Sequence, residues 1–168
     1  MLAKAWLCLA VGNRGSFLRI AEDLCIVDPV AVLLTPFLYS YATGSSIRIV
    51  SPWIEDIEIA ASPNLSSFLG IAMRTKLSQL VNQAIDKGIR IEIVTAPTTR
   101  DKVGDSRYRR TLLYTSIPLD IVRIDPRIHT KAIELDTWRL ILTANLTEPE
   151  LAKMRTQRNI ATIQRTPT

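Results

Sequence analysis

Residues that build metal and redox sites are scarce in this chain of 168 residues, which has one histidine and two cysteines. One imidazole and two thiols cannot make a four-ligand zinc cluster within a single chain. Two cysteines in this length also make no disulfide framework, so Cys8 and Cys25 are expected to be buried free thiols. Any histidine chemistry must therefore use His129, alone or in two copies of the chain.

Glycine is scarce too, with six residues, and neither of the common glycine-rich phosphate-binding loops occurs. Long apolar runs are missing as well, because the longest, from Leu24 to Tyr41, is broken by Asp28, Pro29 and Pro36. A bilayer-spanning helix needs about 20 apolar residues, so we expect no transmembrane segment. The first twelve residues lack the cleavage site of a secretory signal, which favours a cytoplasmic protein.

The charge is positive and unevenly placed. The formal net charge of +5 comes entirely from residues 100–168. A basic half favours a polyanionic partner, either nucleic acid or an anionic membrane surface, although a merely solubilising surface fits the charge equally well. With 47% hydrophobic and 22% charged residues, the composition is globular, and the length predicts a single domain, 1–168.

The order of apolar patterns predicts an α/β domain that follows an apolar helical segment, residues 1–44. A β-branched run at Ile47–Ile54 predicts a strand, and Ser62-Pro63 begins a helix that Gly88 ends. A second strand at Ile89–Val94 completes a βαβ unit, whose strands should be parallel. The remaining predicted elements are strands at 119–124, 128–135, 139–143 and 160–163 and a helix at 149–158.

One predicted hairpin carries the chemistry. On a strand, His129 and Lys131 lie two residues apart and share a face, and the returning strand delivers Thr143 and Asn145 beside them. An imidazole and an ammonium together suit a phosphate group, and Asp136 occupies the turn. The alternative is that His129 is an ordinary packed or surface histidine and Asn145 an ordinary turn residue.

The spacing of His129, Lys131 and Asp136, followed by Asn145, resembles the signature of the phospholipase D superfamily. The strand "IRIVSPWI" and the passage "AIDKGIRIEIVT" resemble that family's first strand and its helix-to-second-strand connection, so the resemblance covers residues 45–165. It implies an α/β fold: a phospholipase D-like α-β-α sandwich with a mixed, largely parallel central sheet flanked by helices.

The resemblance also implies phosphodiester cleavage without a metal ion or cofactor. His129 would form a phosphohistidine, Lys131 and Asn145 would hold the phosphate oxygens, and Thr143 and Asp136 would support the site. This chemistry uses two histidines, and the chain has one, so a homodimer is expected.

Two departures from the family pattern concern Asn145. It comes one residue early after Asp136, which a tighter hairpin turn explains. Many family members also have a glutamate downstream of the asparagine, but residues 155–159 contain no carboxylate. Glu148 and Glu150 lie so close to Asn145 in sequence that neither is the obvious replacement.

Short members of the family with a single motif resemble nucleases more than lipases, and basic residues near the motif suit a nucleic-acid backbone. Trp53 or Tyr108 offers a ring for base stacking. A nucleic-acid-binding subunit without catalysis and a phospholipid-cleaving enzyme are the alternatives, and DNA and RNA are equally compatible. The candidate phosphate-binding residues are Arg100, Lys102, Arg107, Arg109, Arg110, Arg123 and Arg127.

Overall fold

A computed structural model describes residues 25–26, 29–97, 116–152 and 161–165. These residues form the α-helices α1 (Pro29–Thr43), α2 (Pro63–Leu69), α3 (Leu77–Asp86) and α4 (Glu148–Ala152), with a short 3-10 helix at Leu119–Ile121. They also form the strands β1 (Cys25–Ile26), β2 (Ile47–Val50), β3 (Glu58–Ala60), β4 (Arg74–Lys76), β5 (Ile91–Thr95), β6 (Val122–Ile124), β7 (Ala132–Leu135), β8 (Trp138–Leu142) and β9 (Ala161–Arg165).

Seven strands make one mixed sheet in the order β1-β9-β8-β7-β2-β5-β6, and β3 and β4 form a separate pair. The α/β class and the parallel pairing of β2 with β5 are confirmed. The prediction of a largely parallel sheet is wrong, because only β2–β5 and β5–β6 pair in parallel and the other four pairings are antiparallel. The two residues that link β7 to β8 require the predicted antiparallel hairpin, and β7 with β2, β9 with β8 and β1 with β9 pair antiparallel as well.

Strand alternation separates the face of the sheet that packs in the main core from the face that carries Arg48, Glu92 and Glu134. On the apolar face, Ile47 and Ile49 of β2 pack in one core with buried side chains of α1 and α3. Between them, Arg48 points the other way and contacts Glu134 at 2.7 Å and Glu92 at 3.0 Å across the neighbouring strands. The period-two pattern of the sequence thus sets which face the helices cover.

The region between residues 62 and 88 departs from the single helix that the sequence predicts. The start is as expected, since Ser62 caps α2 by accepting a hydrogen bond from Leu65 N and Pro63 follows it. Gly70 then ends α2 with a left-handed φ of 70°, and its N–H bonds the Ser66 carbonyl. Strand β4 follows and pairs with β3 before α3 begins, so the apolar repeat continues across a break in the helix.

None of the helices within the described ranges is long and apolar enough to cross a membrane. The longest, α1, has 15 residues and contains Pro36. It lies inside the segment 1–44 that the sequence predicts to be helical, but Cys25–Ile26 of the same segment form β1, which pairs with β9. Residues 1–24 and 27–28 lie outside the described part.

Candidate active site

The strands β2, β5, β6, β7 and β8 each have one end at the same edge of the main sheet. Val50 at the end of β2 pairs with Ala132 at the start of β7 and with Val94 of β5. Ala132 also pairs with Ile141, near the end of β8. The loops at this edge, 51–56, 96–97, 125–131 and 143–147, are called the site edge below. The predicted motif residues other than Asp136 lie on these loops.

His129 and Lys131 lead into β7 but do not lie on it. The predicted strand from Ile128 begins only at Ala132, because the preceding Asp125-Pro-Arg127 turn is closed by Asp125, whose Oδ1 accepts from Arg127 N at 2.9 Å. His129 is exposed and Lys131 is partly buried. The Lys131 carbonyl accepts from Leu142 N at 2.8 Å, so hairpin pairing extends one residue beyond β7. The prediction that His129 and Lys131 share one face of a strand is therefore wrong, because both residues precede β7.

Asn145 follows β8 and is buried, with 6% of its surface exposed. Its backbone N–H donates to Glu150 Oε2 at 2.5 Å, and its Nδ2 donates to Glu150 Oε1 at 2.8 Å. Its Oδ1 lies 3.5 Å from the hydroxyl of Ser51. Because an ionised carboxylate only accepts, these contacts fix which way the amide faces. Thr143, two residues earlier, is exposed at the same edge.

Glu150 is the residue that sequence reasoning set aside. Helix α4 begins three residues after Asn145, and its first turn folds the Glu150 carboxylate back onto that asparagine. A signal existed, because Thr147 followed three residues later by Glu150 is the pattern of a capping box. Thr147 does begin the helix, as its carbonyl accepts from Leu151 N at 2.9 Å. The glutamate, however, accepts from Asn145 instead of from Thr147.

Ser51 ties the ends of β2 and β8 together. It is fully buried, its Oγ donates to the Trp53 carbonyl at 2.9 Å, and it accepts from Leu146 N at 3.4 Å. A buried carboxylate, Glu55, accepts from the backbone N–H of Glu148 at 2.7 Å. Loop 143–147 and the start of α4 are thus fixed from both sides, while the Trp53 side chain stays 45% exposed.

Asp136 lies away from the site edge, in the turn between β7 and β8 at the opposite end of both strands. Its carboxylate accepts from the Ser46 hydroxyl at 2.5 Å and from the Ser46 N–H at 3.2 Å. These bonds, the hydroxyl first, lower the pKa of Asp136 below its ordinary value. Its observed contacts join the hairpin turn to the start of β2.

Two of the predicted phosphate-binding arginines flank a carboxylate at the site edge. Arg123 and Arg127 each lie 3.6 Å from Asp125, and both guanidinium side chains are mostly exposed. The backbone N–H of Arg127 is the main cause of a lowered pKa at Asp125. The other five predicted residues lie outside the described part of the chain: Arg100, Lys102, Arg107, Arg109 and Arg110.

The arrangement therefore combines an exposed imidazole, a partly buried ammonium and a buried, oriented amide at one edge. An imidazole can act as nucleophile or base, and an ammonium and an amide N–H can stabilise anionic oxygens. Within the described ranges, no three His, Cys, Asp or Glu side chains group as metal ligands would.

No family model matches the sequence, and no curated protein matches it. Among solved structures, the chain is similar to TrmBL2, an archaeal chromatin protein whose structure shows a novel mode of DNA binding. The TM-score is 0.41 and the sequence identity is 10%, over 83% of this chain and 44% of that one. A likeness at this level assigns no function to this chain.

Proposed function

We propose that this chain is a metal-independent phosphodiesterase that cleaves nucleic acid through His129, on a phospholipase D-like fold. The observation that carries the proposal is that His129 and Lys131 enter β7 at the same sheet edge where Asn145 follows β8. The order of these residues resembles the phospholipase D motif, and the exposure of His129 suits a nucleophile that must reach a polymer.

In the proposed reaction, a nitrogen of His129 attacks phosphorus and the bond to the leaving oxygen breaks, which gives a phosphohistidine. A second histidine donates its proton to that oxygen and then removes a proton from water. The water oxygen displaces the His129 nitrogen, which yields a phosphate monoester and free imidazole. Lys131 and the Asn145 amide stabilise the negative charge on the nonbridging oxygens.

The second histidine must come from another copy, because each chain has one. A two-fold arrangement that brings two site edges together supplies it and makes the two copies equivalent. The active form proposed here is therefore a homodimer in which each chain contributes His129.

Nucleic acid is the proposed substrate because the excess positive charge lies in the part of the chain that contains the motif. Arg123 and Arg127 add exposed guanidinium groups beside the site edge, although Asp125 offsets part of their charge. Contacts of this kind neutralise backbone phosphates without reading sequence, so binding should weaken as salt rises.

The test is cleavage of labelled single- and double-stranded DNA and RNA in EDTA. Wild type is compared with His129→Asn, and with Arg74→Gln as a control that removes an exposed charge on β4. We expect cleavage by wild type and by the control but not by His129→Asn. Cleavage by all three proteins would show that His129 is not the nucleophile.

A second candidate is a nucleic-acid-binding subunit without catalysis. The observation in its favour is that the Asn145 amide is buried and already bonded to Glu150. This candidate predicts salt-sensitive binding by wild type and His129→Asn alike, with no cleavage by either. The same assay therefore distinguishes the two functions.

A further inference from the structure

Both oxygens of the Glu150 carboxylate are used by one residue. Oε2 accepts the backbone N–H of Asn145, and Oε1 accepts its Nδ2. The Asn145 carbonyl oxygen faces the Ser51 hydroxyl on the other side. If the amide flipped, its oxygen would face a carboxylate oxygen with no proton between them, so the contact with Glu150 favours the observed orientation.

We infer that Glu150 is a positioning residue for Asn145, and this rests on the proposed function. Glu150 takes one N–H of Nδ2, so the second N–H is the part of the amide left to donate to a phosphate oxygen. A donor held in place before the charge develops stabilises the transition state without reorganising. Glu150 thereby takes part in the site without touching the substrate.

The same carboxylate has a second, opposite effect. Its negative charge lies 2.8 Å from the amide nitrogen that would face the phosphate, and like charges repel. Glu150 should therefore weaken substrate binding in the ground state while it speeds the chemical step. A residue that only stabilised the fold would not separate these two effects.

The variant Glu150→Gln removes the charge and keeps the shape. The glutamine amide replaces one of the two carboxylate oxygens with an NH2 donor, so in the observed geometry one of the two Asn145 N–H groups would face a donor instead of an acceptor. We expect kcat to fall about tenfold or more, because a displacement of about 1 Å at a positioned group can cost about a hundredfold, and KM to fall by a few-fold. Glu150→Asp keeps two acceptors and the charge at a shorter reach, so kcat should fall less and KM should stay near wild type.

The matched control is Glu148→Gln, the same change on the same helix, at an exposed side chain. The experiment measures kcat and KM in EDTA for wild type, Glu150→Gln, Glu150→Asp and the control. It also records the side-chain amide signals of Asn145 by 15N–1H NMR, which do not depend on activity. We expect these signals to move in Glu150→Gln and to keep their positions in Glu148→Gln.

Unchanged kcat and unchanged Asn145 signals in Glu150→Gln would overturn the inference, as would a parallel loss of affinity and rate. If Glu150→Gln does not fold, Glu150→Asp decides, and a wild-type kcat in that variant refutes positioning. If wild type cleaves nothing, the proposed function fails, while the NMR comparison still reports whether Glu150 orients Asn145.

Discussion

Replacing Ser51 by alanine tests whether the site edge is held together by one buried hydroxyl. The Ser51 Oγ donates to the Trp53 carbonyl at 2.9 Å and accepts from Leu146 N at 3.4 Å. Alanine removes both bonds and leaves the two backbone groups to find other partners. The chain contains a matched control in Ser40, which is also fully buried, but whose Oγ has no hydrogen-bond partner among the described residues.

The two substitutions should have different effects on the free energy of unfolding. Leaving a buried backbone group unsatisfied costs about 1–3 kcal/mol, and the longer of the two bonds contributes less, so Ser51→Ala should cost about 2 kcal/mol. Removing the unpaired hydroxyl of Ser40 costs no hydrogen bond. Alanine is also the better helix former by a few tenths of a kcal/mol, and Ser40 lies in α1. Ser40→Ala should therefore leave stability unchanged or raise it by up to about 1 kcal/mol.

Urea unfolding of wild type and both variants at pH 7 measures the difference. We expect the free energy of unfolding of Ser51→Ala to lie about 2–3 kcal/mol below that of Ser40→Ala, with equal m-values. Equal losses in the two variants would refute the reasoning, because burial alone, and not the bonds of Ser51, would then explain the effect.

Two further predictions concern the backbone and the remote turn. Gly70→Ala should lower the free energy of unfolding by about 1 kcal/mol, because residue 70 has a left-handed φ of 70°, and Gly70→Asn should cost less; equal losses in urea would contradict this. Ser46 lowers the pKa of Asp136, so the carboxylate stabilises the fold above the ordinary Asp pKa of about 4. Wild type should therefore be more stable than Asp136→Asn at pH 7 in thermal melts. This difference in stability should disappear as pH falls through the lowered pKa, and a difference that increased at low pH would contradict the prediction.

Local patterns were enough for the elements whose neighbours in sequence are also their neighbours in space. The alternation around Arg48 predicts β2, and the Ser62-Pro63 pair predicts the start of α2. The parallel pairing of β2 with β5 follows from the strand–helix–strand order. For β2 and for the start of α2, the residues that decide the structure lie within a few positions of the element they form.

Two element boundaries that the sequence mispredicts have different causes. A single glycine such as Gly70 does not by itself predict the end of a helix. Residues 74–76 form a strand because β3, 14 or more residues earlier, is available to pair with them. The boundary near Ile128 has a local cause instead: the alternating pattern begins at Ile128, but a turn closed by Asp125 precedes it and the strand begins only at Ala132. A partner strand set the first of these boundaries and a turn set the second.

The sequence predicts some residues of the candidate site and misses others, depending on whether spacing along the chain or a folded contact identifies the residue. His129 and Lys131 are recognised by spacing, since both precede the same strand. The contacts of Glu150 depend on helix α4 beginning three residues after Asn145, and the spacing of Thr147 and Glu150 signals that helix start but not which residue the carboxylate contacts. The Glu150 carboxylate contacts Asn145 although it is close in sequence, because the first turn of α4 brings it back toward that residue. In this chain, the glutamate that was too near to be expected is the one whose contacts reach the amide.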